Sequence, residues 1–218
     1  MKKLRALVLF GLVVVVGCSG TPDTGDGSPD TEGGSSDAAA STNPQLVFWA
    51  SLEALCGQAF EGRVVESQPP DEAFESQTLV MHVRECQSDE IRIPFQVGED
   101  RSRTWVITPT PTGLRLKHDH RHEDGTEDEI TQYGGDTRGP GTAIVQDFHA
   151  DVFTGNLVPA AATNVWTVEV DPGRLFAYAL RREGADRRFR VEFDLQRPVP
   201  TPPAPWGGMV VESDPQNR

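Results

Sequence analysis

The chain has 218 residues, with 33 acidic against 20 basic side chains and a formal charge of −13. That balance argues against nucleic-acid binding through bulk charge, which needs a basic face, and against attraction to anionic headgroups. Cations are the more natural ligands of such a field, and solubility is its simplest consequence.

Lys2, Lys3 and Arg5 precede an apolar run from Ala6 to Val16. A membrane-spanning helix needs about 20 apolar residues, so this shorter run with a basic start reads as a secretory signal. The run ends in Val15-Val16-Gly17-Cys18-Ser19. This stretch resembles the lipobox of bacterial lipoproteins, in which apolar and small residues precede a cysteine that becomes the lipidated first residue of the mature chain. The resemblance implies a signal peptide over 1–17, lipidation at Cys18, and a membrane partner reached through that anchor. It also implies a cell-envelope location, with Ser19 favouring the outer membrane where the cell has one. Several acyl chains make such anchoring stable, because a single chain is marginal.

From Ser19 to Asn43 there is no Val, Ile, Leu or aromatic residue. Such a segment cannot bury enough apolar surface to offset its ordering entropy. Residues 18–43 therefore read as a tether with a root-mean-square reach of roughly 25–30 Å. With Cys18 lipidated, Cys56 and Cys86 remain, and the oxidising envelope favours a disulfide between them over a reactive thiol. Closing a loop of that length is worth on the order of 3–4 kcal/mol in the loop-entropy account.

Residues 44–196 carry the sustained hydrophobic pattern of one domain. Asn43 suits a helix N-cap and Pro44 the first helical position. Phe48, Leu52 and Leu55 recur at helical spacing, and Gly57 offers a stop, which predicts a helix over Pro44–Cys56. Period two then takes over. Ile91, Ile93, Phe95 and Val97 alternate with polar partners, as do Phe189, Val191, Phe193 and Leu195. Weaker alternation marks strands around Phe60–Val65, Leu79–Val83, Trp105–Ile107, Leu114–His122, Ile144–Phe148, Trp166–Val170 and Phe176–Leu180. Turn residues such as Asp171-Pro172-Gly173 and Glu123-Asp124-Gly125 separate them. Short strands at this spacing predict an all-β antiparallel barrel or sandwich of about eight strands behind one helix. The helix, the meander and the segment Gly57-Gln58-Ala59-Phe60-Glu61-Gly62 at the first strand resemble the calycin group. That group includes lipocalins and small haem-binding nitrobindins, and the likeness implies a barrel holding one small ligand inside. Residues 197–218 are proline-rich and cannot continue a central strand. They read as a tail whose Trp206 packs over the barrel, or else as a polyproline ligand.

Leu114 to Glu123 is the chemically dense stretch. On a strand, Leu114, Leu116, His118, His120 and His122 share one face, which the leucines mark as inward. Histidines at i and i+2 stand about 6.5–7 Å apart and can converge on a divalent transition metal such as zinc. Glu127, Glu129, His149 and the more distant His82 are candidate further ligands. The spacing His120-x-His122, then Glu127, then Gly134 resembles the first metal-binding motif of cupins. That resemblance implies a cupin-like barrel or metalloenzyme as the alternative, with His149 as fourth ligand; Gly113 and the missing second motif depart from the pattern. The bland alternative is a charged hairpin whose ions pair across strands. An EF-hand is excluded, because a loop with Gly125 at its sixth position puts histidines where oxygen ligands belong. There is no Gly-x-Ser-x-Gly and no phosphate-binding glycine loop, so a binding module is favoured over an enzyme, and a structural envelope protein with no small-molecule site is the remaining alternative. Residues 97–105 and 117–125 resemble stretches of uncharacterised secreted bacterial proteins, a likeness that carries no activity.

Overall fold

The structure is a computed structural model that describes residues 43–208. The signal peptide, Cys18, the tether up to residue 42 and the last ten residues lie outside the described residues.

The domain opens with α1 (Pro44–Glu53). Asn43 caps it by accepting a hydrogen bond from the Gln45 amide at 2.9 Å, and Pro44 occupies the first turn. The strands follow as β1 (Ala59–Gln68), β2 (Leu79–His82), β3 (Glu85–Cys86), β4 (Ile91–Val97), β5 (Asp100–Thr110), β6 (Gly113–His120), β7 (Tyr133–Thr137), β8 (Val145–Ala150), β9 (Asn164–Asp171), β10 (Leu175–Arg182) and β11 (Arg188–Val199). Two short helices, α2 (Glu72–Glu75) and α3 (Val152–Leu157), lie in connections.

From β4 to β11 each strand pairs with the next, always antiparallel. β1 then pairs with β11 along one edge and with β2 along the other, and β2 pairs with β4. Ten strands therefore close into a barrel, with β3 added to the edge of β4. The barrel expectation holds, and the sandwich alternative does not. The up-and-down order contains no Greek key, so the cupin-like jelly roll is absent as well.

Two local features permit closure. A side chain at Gly62 would collide with the Phe193 ring, so glycine lets β1 lie against β11 at a register shift. Pro94 lacks an N–H, and it stands where β4 passes from β2 to β3 and needs no ladder bond on that edge.

The inward residues of the strands and one face of α1 form a single core. Phe48, Leu52, Phe60, Ile91, Ile107 and Phe193 are among its fully buried members. α1 closes one end of the barrel. Its Gln45 side chain donates to Thr137 Oγ1 and to the Gly139 carbonyl, each at 3.1 Å. Cys56 and Cys86 form the expected disulfide, which ties the segment after α1 to β3 across a Cα–Cα distance of 6.3 Å. The opposite end is ringed by the starts of β5, β7, β9 and β11 and the ends of β6, β8 and β10, and it remains open. The C-terminal tail packs outside the barrel: the Trp206 amide donates to the Arg101 carbonyl at 3.1 Å, and Arg101 Nη1 donates to the Ala204 carbonyl at 2.9 Å.

The loop closed by the disulfide spans 30 residues. The double substitution Cys56→Ala/Cys86→Ala is expected to lower the unfolding free energy in urea by about 3–4 kcal/mol. A loss well under about 1 kcal/mol would show that the bridge does little to constrain the unfolded chain.

Candidate functional site

On β5, β6 and β10 the period of two carries the inward face from an apolar floor to a polar rim. On β6 the inward series is Leu114, Leu116, His118 and His120. On β5 it is Ile107, Trp105 and Arg103, and on β10 it is Phe176, Tyr178, Leu180 and Arg182. The register aligns these series: Ile107 faces Leu116, Trp105 faces His118, and Arg103 faces His120. The open end thus holds a cavity of about 330 Å³, walled mainly by aromatic rings, with Arg103, Arg182 and Arg187 toward its mouth.

The rings stack on one another. Trp105 lies between Phe95, at a centroid distance of 4.7 Å, and Tyr178, at 4.4 Å. Tyr133 stacks on His118 at 4.5 Å and nearly parallel, and Trp166 tilts against both. Phe74 of α2 leans over the mouth against Phe189 and Phe95. Such contacts add stability beyond simple area burial.

Hydrogen bonding in the middle layer has one consistent assignment. A carbonyl can only accept. His118 Nδ1 lies 3.0 Å from the Tyr133 carbonyl, so it must carry the proton and donate. Nε2 of a neutral imidazole then accepts from the Tyr178 hydroxyl at 2.7 Å. Burial holds His118 neutral, lowering its pKa from 6.5 to about 3, against the opposing hydrogen bond to Tyr133. Burial also pushes the Tyr178 hydroxyl well above its ordinary value.

His120 lies one layer higher and is half-buried. Its Nε2 is 3.2 Å from the Tyr133 hydroxyl. Burial lowers its pKa, and the Arg103 guanidinium adds to that effect. The Tyr133 phenol is pushed up to about 12, again by burial first. Gln132, immediately before Tyr133, has φ 57°, and its amide donates to the His118 carbonyl at 2.6 Å. A non-glycine residue in this region is uncommon. It turns the chain from the preceding loop into β7, placing Tyr133 opposite His118.

The sequence-predicted ligands do not converge. His118 and His120 line the cavity as their spacing implies. His122 does not share their position, because β6 ends at His120 and the chain turns through Asp124 and Gly125. The Thr126 amide bonds to Asp124 Oδ1 at 2.9 Å, and His122 is left exposed. Glu127 is exposed and pairs with Arg121 at 3.2 Å. His149 occupies the face of β8 opposite the buried Phe148. Glu129 is exposed, while His82 pairs with Ala59 of β1 toward the plugged end. Among the described residues no group of three or more His, Cys, Asp or Glu side chains is placed to hold a metal ion. His118 also has both ring nitrogens occupied.

The charges on the outer face of β6 pair across strands. Arg115 bonds to Asp136 at 2.6 and 2.8 Å, Lys117 to Asp151, and Asp119 to both Arg92 and Arg121. Asp119 is only 2% exposed although it points away from the core, so two guanidiniums compensate a covered carboxylate.

Arg103, Tyr133, Trp166, Tyr178, Arg182 and Arg187 were not among the sequence-predicted site residues. Arg182 was within reach, since it continues the series Phe176, Tyr178, Leu180. Neither imidazole is hydrogen-bonded to a carboxylate among the described residues, and the chain of donors through His118 is saturated. Comparison of the chain with protein-family models, with curated proteins and with solved structures gives no match.

His118 provides a pH test. In the unfolded chain it takes up a proton near pH 6.5, while in the folded chain it does so only near 3. The unfolded state therefore binds more protons in that window, and stability is lost as pH falls below about 6.5. His82, His120 and His149 shift in the same direction. Between pH 7 and 5, His118→Gln is expected to reduce the slope of unfolding free energy against pH by up to about 1.4 kcal/mol per unit. Identical slopes in the two proteins would contradict the assignment.

Proposed function

We propose that this protein is a lipid-anchored binding module of the cell envelope that holds a small, mainly apolar molecule in the open end of its barrel. The observation that carries the reading is the cavity. Its volume of about 330 Å³ falls at the lower end of the range typical of small-molecule sites. Its walls are aromatic, and its deepest polar groups are already paired with one another. A guest entering it displaces water from apolar surface and need not break the His118 hydrogen bonds.

The lipobox at Cys18 and the polar tether support attachment to a membrane, with Ser19 favouring the outer one. Asn43, where the described chain begins, lies at the plugged end of the barrel. A substitution Cys18→Ser is expected to abolish acylation and release the protein from the membrane fraction; continued membrane association would contradict the anchor.

For the cavity, the probe is phenylnaphthylamine, a neutral ring compound whose fluorescence rises in apolar surroundings. We expect saturable one-to-one binding, weakened at least roughly tenfold by Leu180→Trp, which fills space at the upper layer. Binding that Leu180→Trp leaves unchanged, in a variant that melts like the parent, would place the probe elsewhere and overturn the reading.

A further inference from the structure

We infer that the cavity takes a small organic anion, with an apolar ring-bearing body lying inward and one carboxylate, sulfonate or phosphate group held at the rim by Arg182 and Arg187. This rests on the small-ligand reading above and adds the chemical class and the orientation of the guest.

The argument begins with charge. The chain carries a net charge of −13, yet three guanidiniums line the cavity against one carboxylate, Asp71. The arginines differ in how well they are neutralised. Arg103 is paired with Asp100 and lies over the Phe74 ring at 5.5 Å. Arg187 has its nearest carboxylate, Asp71, only at 4.0 Å. Arg182 makes no ion pair among the described residues; its Nε donates to the neutral Asn164 Oδ1 at 2.9 Å. On the outer wall, by contrast, Arg92 and Arg121 share Asp119, and Arg190 lies 2.8 Å from both Glu169 and Glu192. Those three outer-wall arginines are closely neutralised, whereas Arg182 and Arg187 at the mouth of the aromatic cavity are not.

The second line is the distribution of hydrogen-bonding capacity. His118 has both ring nitrogens occupied, by the Tyr178 hydroxyl and the Tyr133 carbonyl, and the walls around it are mainly aromatic ring faces without a charged group. His120 and Tyr133 hydrogen-bond each other one layer up. An anionic group pushed to the floor would lose its hydration without meeting a positive charge there. The guanidiniums offer planar, permanently charged donors that suit a carboxylate, sulfonate or phosphate. Arg182 stands two residues beyond Leu180 on β10, and Arg187 lies just before β11, so both sit on the rim side of the Leu180–Trp166 layer. The gradient fixes one orientation, with the rings inward and the anion outward.

The test uses two probes with the same ring skeleton: anilinonaphthalene sulfonate and the neutral phenylnaphthylamine. The readout is the ratio of their affinities, measured by fluorescence within each protein. For the unaltered protein at low salt we expect the sulfonate to bind at least roughly tenfold more tightly, as for a charge-assisted hydrogen bond in a half-buried site. Arg182→Gln/Arg187→Gln is expected to bring the ratio near one, while Arg182→Lys/Arg187→Lys retains a preference for the anion. Arg187→Gln alone, at a turn, gives a milder variant with a smaller loss should the double variant fold poorly. A ratio near one in the unaltered protein would overturn the anionic class while leaving the cavity reading intact. So would a sulfonate preference that survives Arg182→Gln/Arg187→Gln. Failure of both probes to bind would remove the cavity reading and this inference together.

Discussion

Pairing of β1 with β11 on one side and β2 on the other is the constraint on which the rest of the molecule depends. Without it the meander from β4 to β11 would be an open sheet with long unpaired edges, which invite further strand pairing. With it, the inward residues of ten strands surround one axis, and the barrel has two ends with different fates. α1 and the Cys56–Cys86 bridge close one end. At the other, the inward series of β5, β6 and β10 become more polar toward the mouth. The site is therefore a product of closure: Trp105 and His118 are cross-strand neighbours on β5 and β6, and Tyr178 of β10 reaches them only because the sheet is curved into a ring.

The polar chain inside that ring explains why a histidine-bearing strand need not be a metal strand. A buried imidazole is costly unless both nitrogens are satisfied. His118 is satisfied by a tyrosine hydroxyl and a backbone carbonyl, and the carbonyl, which can only accept, fixes the direction of the chain. The hydrogen bonds that make the residue tolerable in the core also remove it from coordination chemistry. His120, one layer closer to solvent, is the imidazole that a guest molecule would meet first.

Much of the wall was legible in the sequence. The alternation over Ile91–Val97 and Phe189–Leu195 marked β4 and β11, and Asn43-Pro44 marked the start of α1. The inward assignment of His118 and His120 followed from the leucines two and four residues before them. Extending that assignment to His122 failed because Asp124 and Gly125 end the strand with a turn, a local preference stronger than the period. β7 was invisible for a different reason. Gly134 and Gly135 carry no hydrophobic pattern, yet a side chain at either would collide with the Leu116 or His149 carbonyl. These glycines allow close approach of backbones, which a periodicity search does not register. The rim was hidden because Arg103, Arg182 and Arg187 come from β5, β10 and the turn before β11. No local spacing brings them together. The whole-chain charge also suggested cationic ligands, whereas the cavity concentrates its own basic residues at the mouth.

The central claim is that a small molecule occupies the open end and not another surface of the barrel. The chain has four tryptophans, at positions 49, 105, 166 and 206, and they sample different places. Trp105 and Trp166 line the cavity, Trp49 belongs to the plug, and Trp206 to the tail outside the wall. Titration with phenylnaphthylamine, followed through the four indole N–H resonances by NMR, reads all of them at once. The account predicts saturable shifts at Trp105 and Trp166, with Trp49 and Trp206 unchanged. Saturable shifts confined to Trp49 or Trp206 would contradict it.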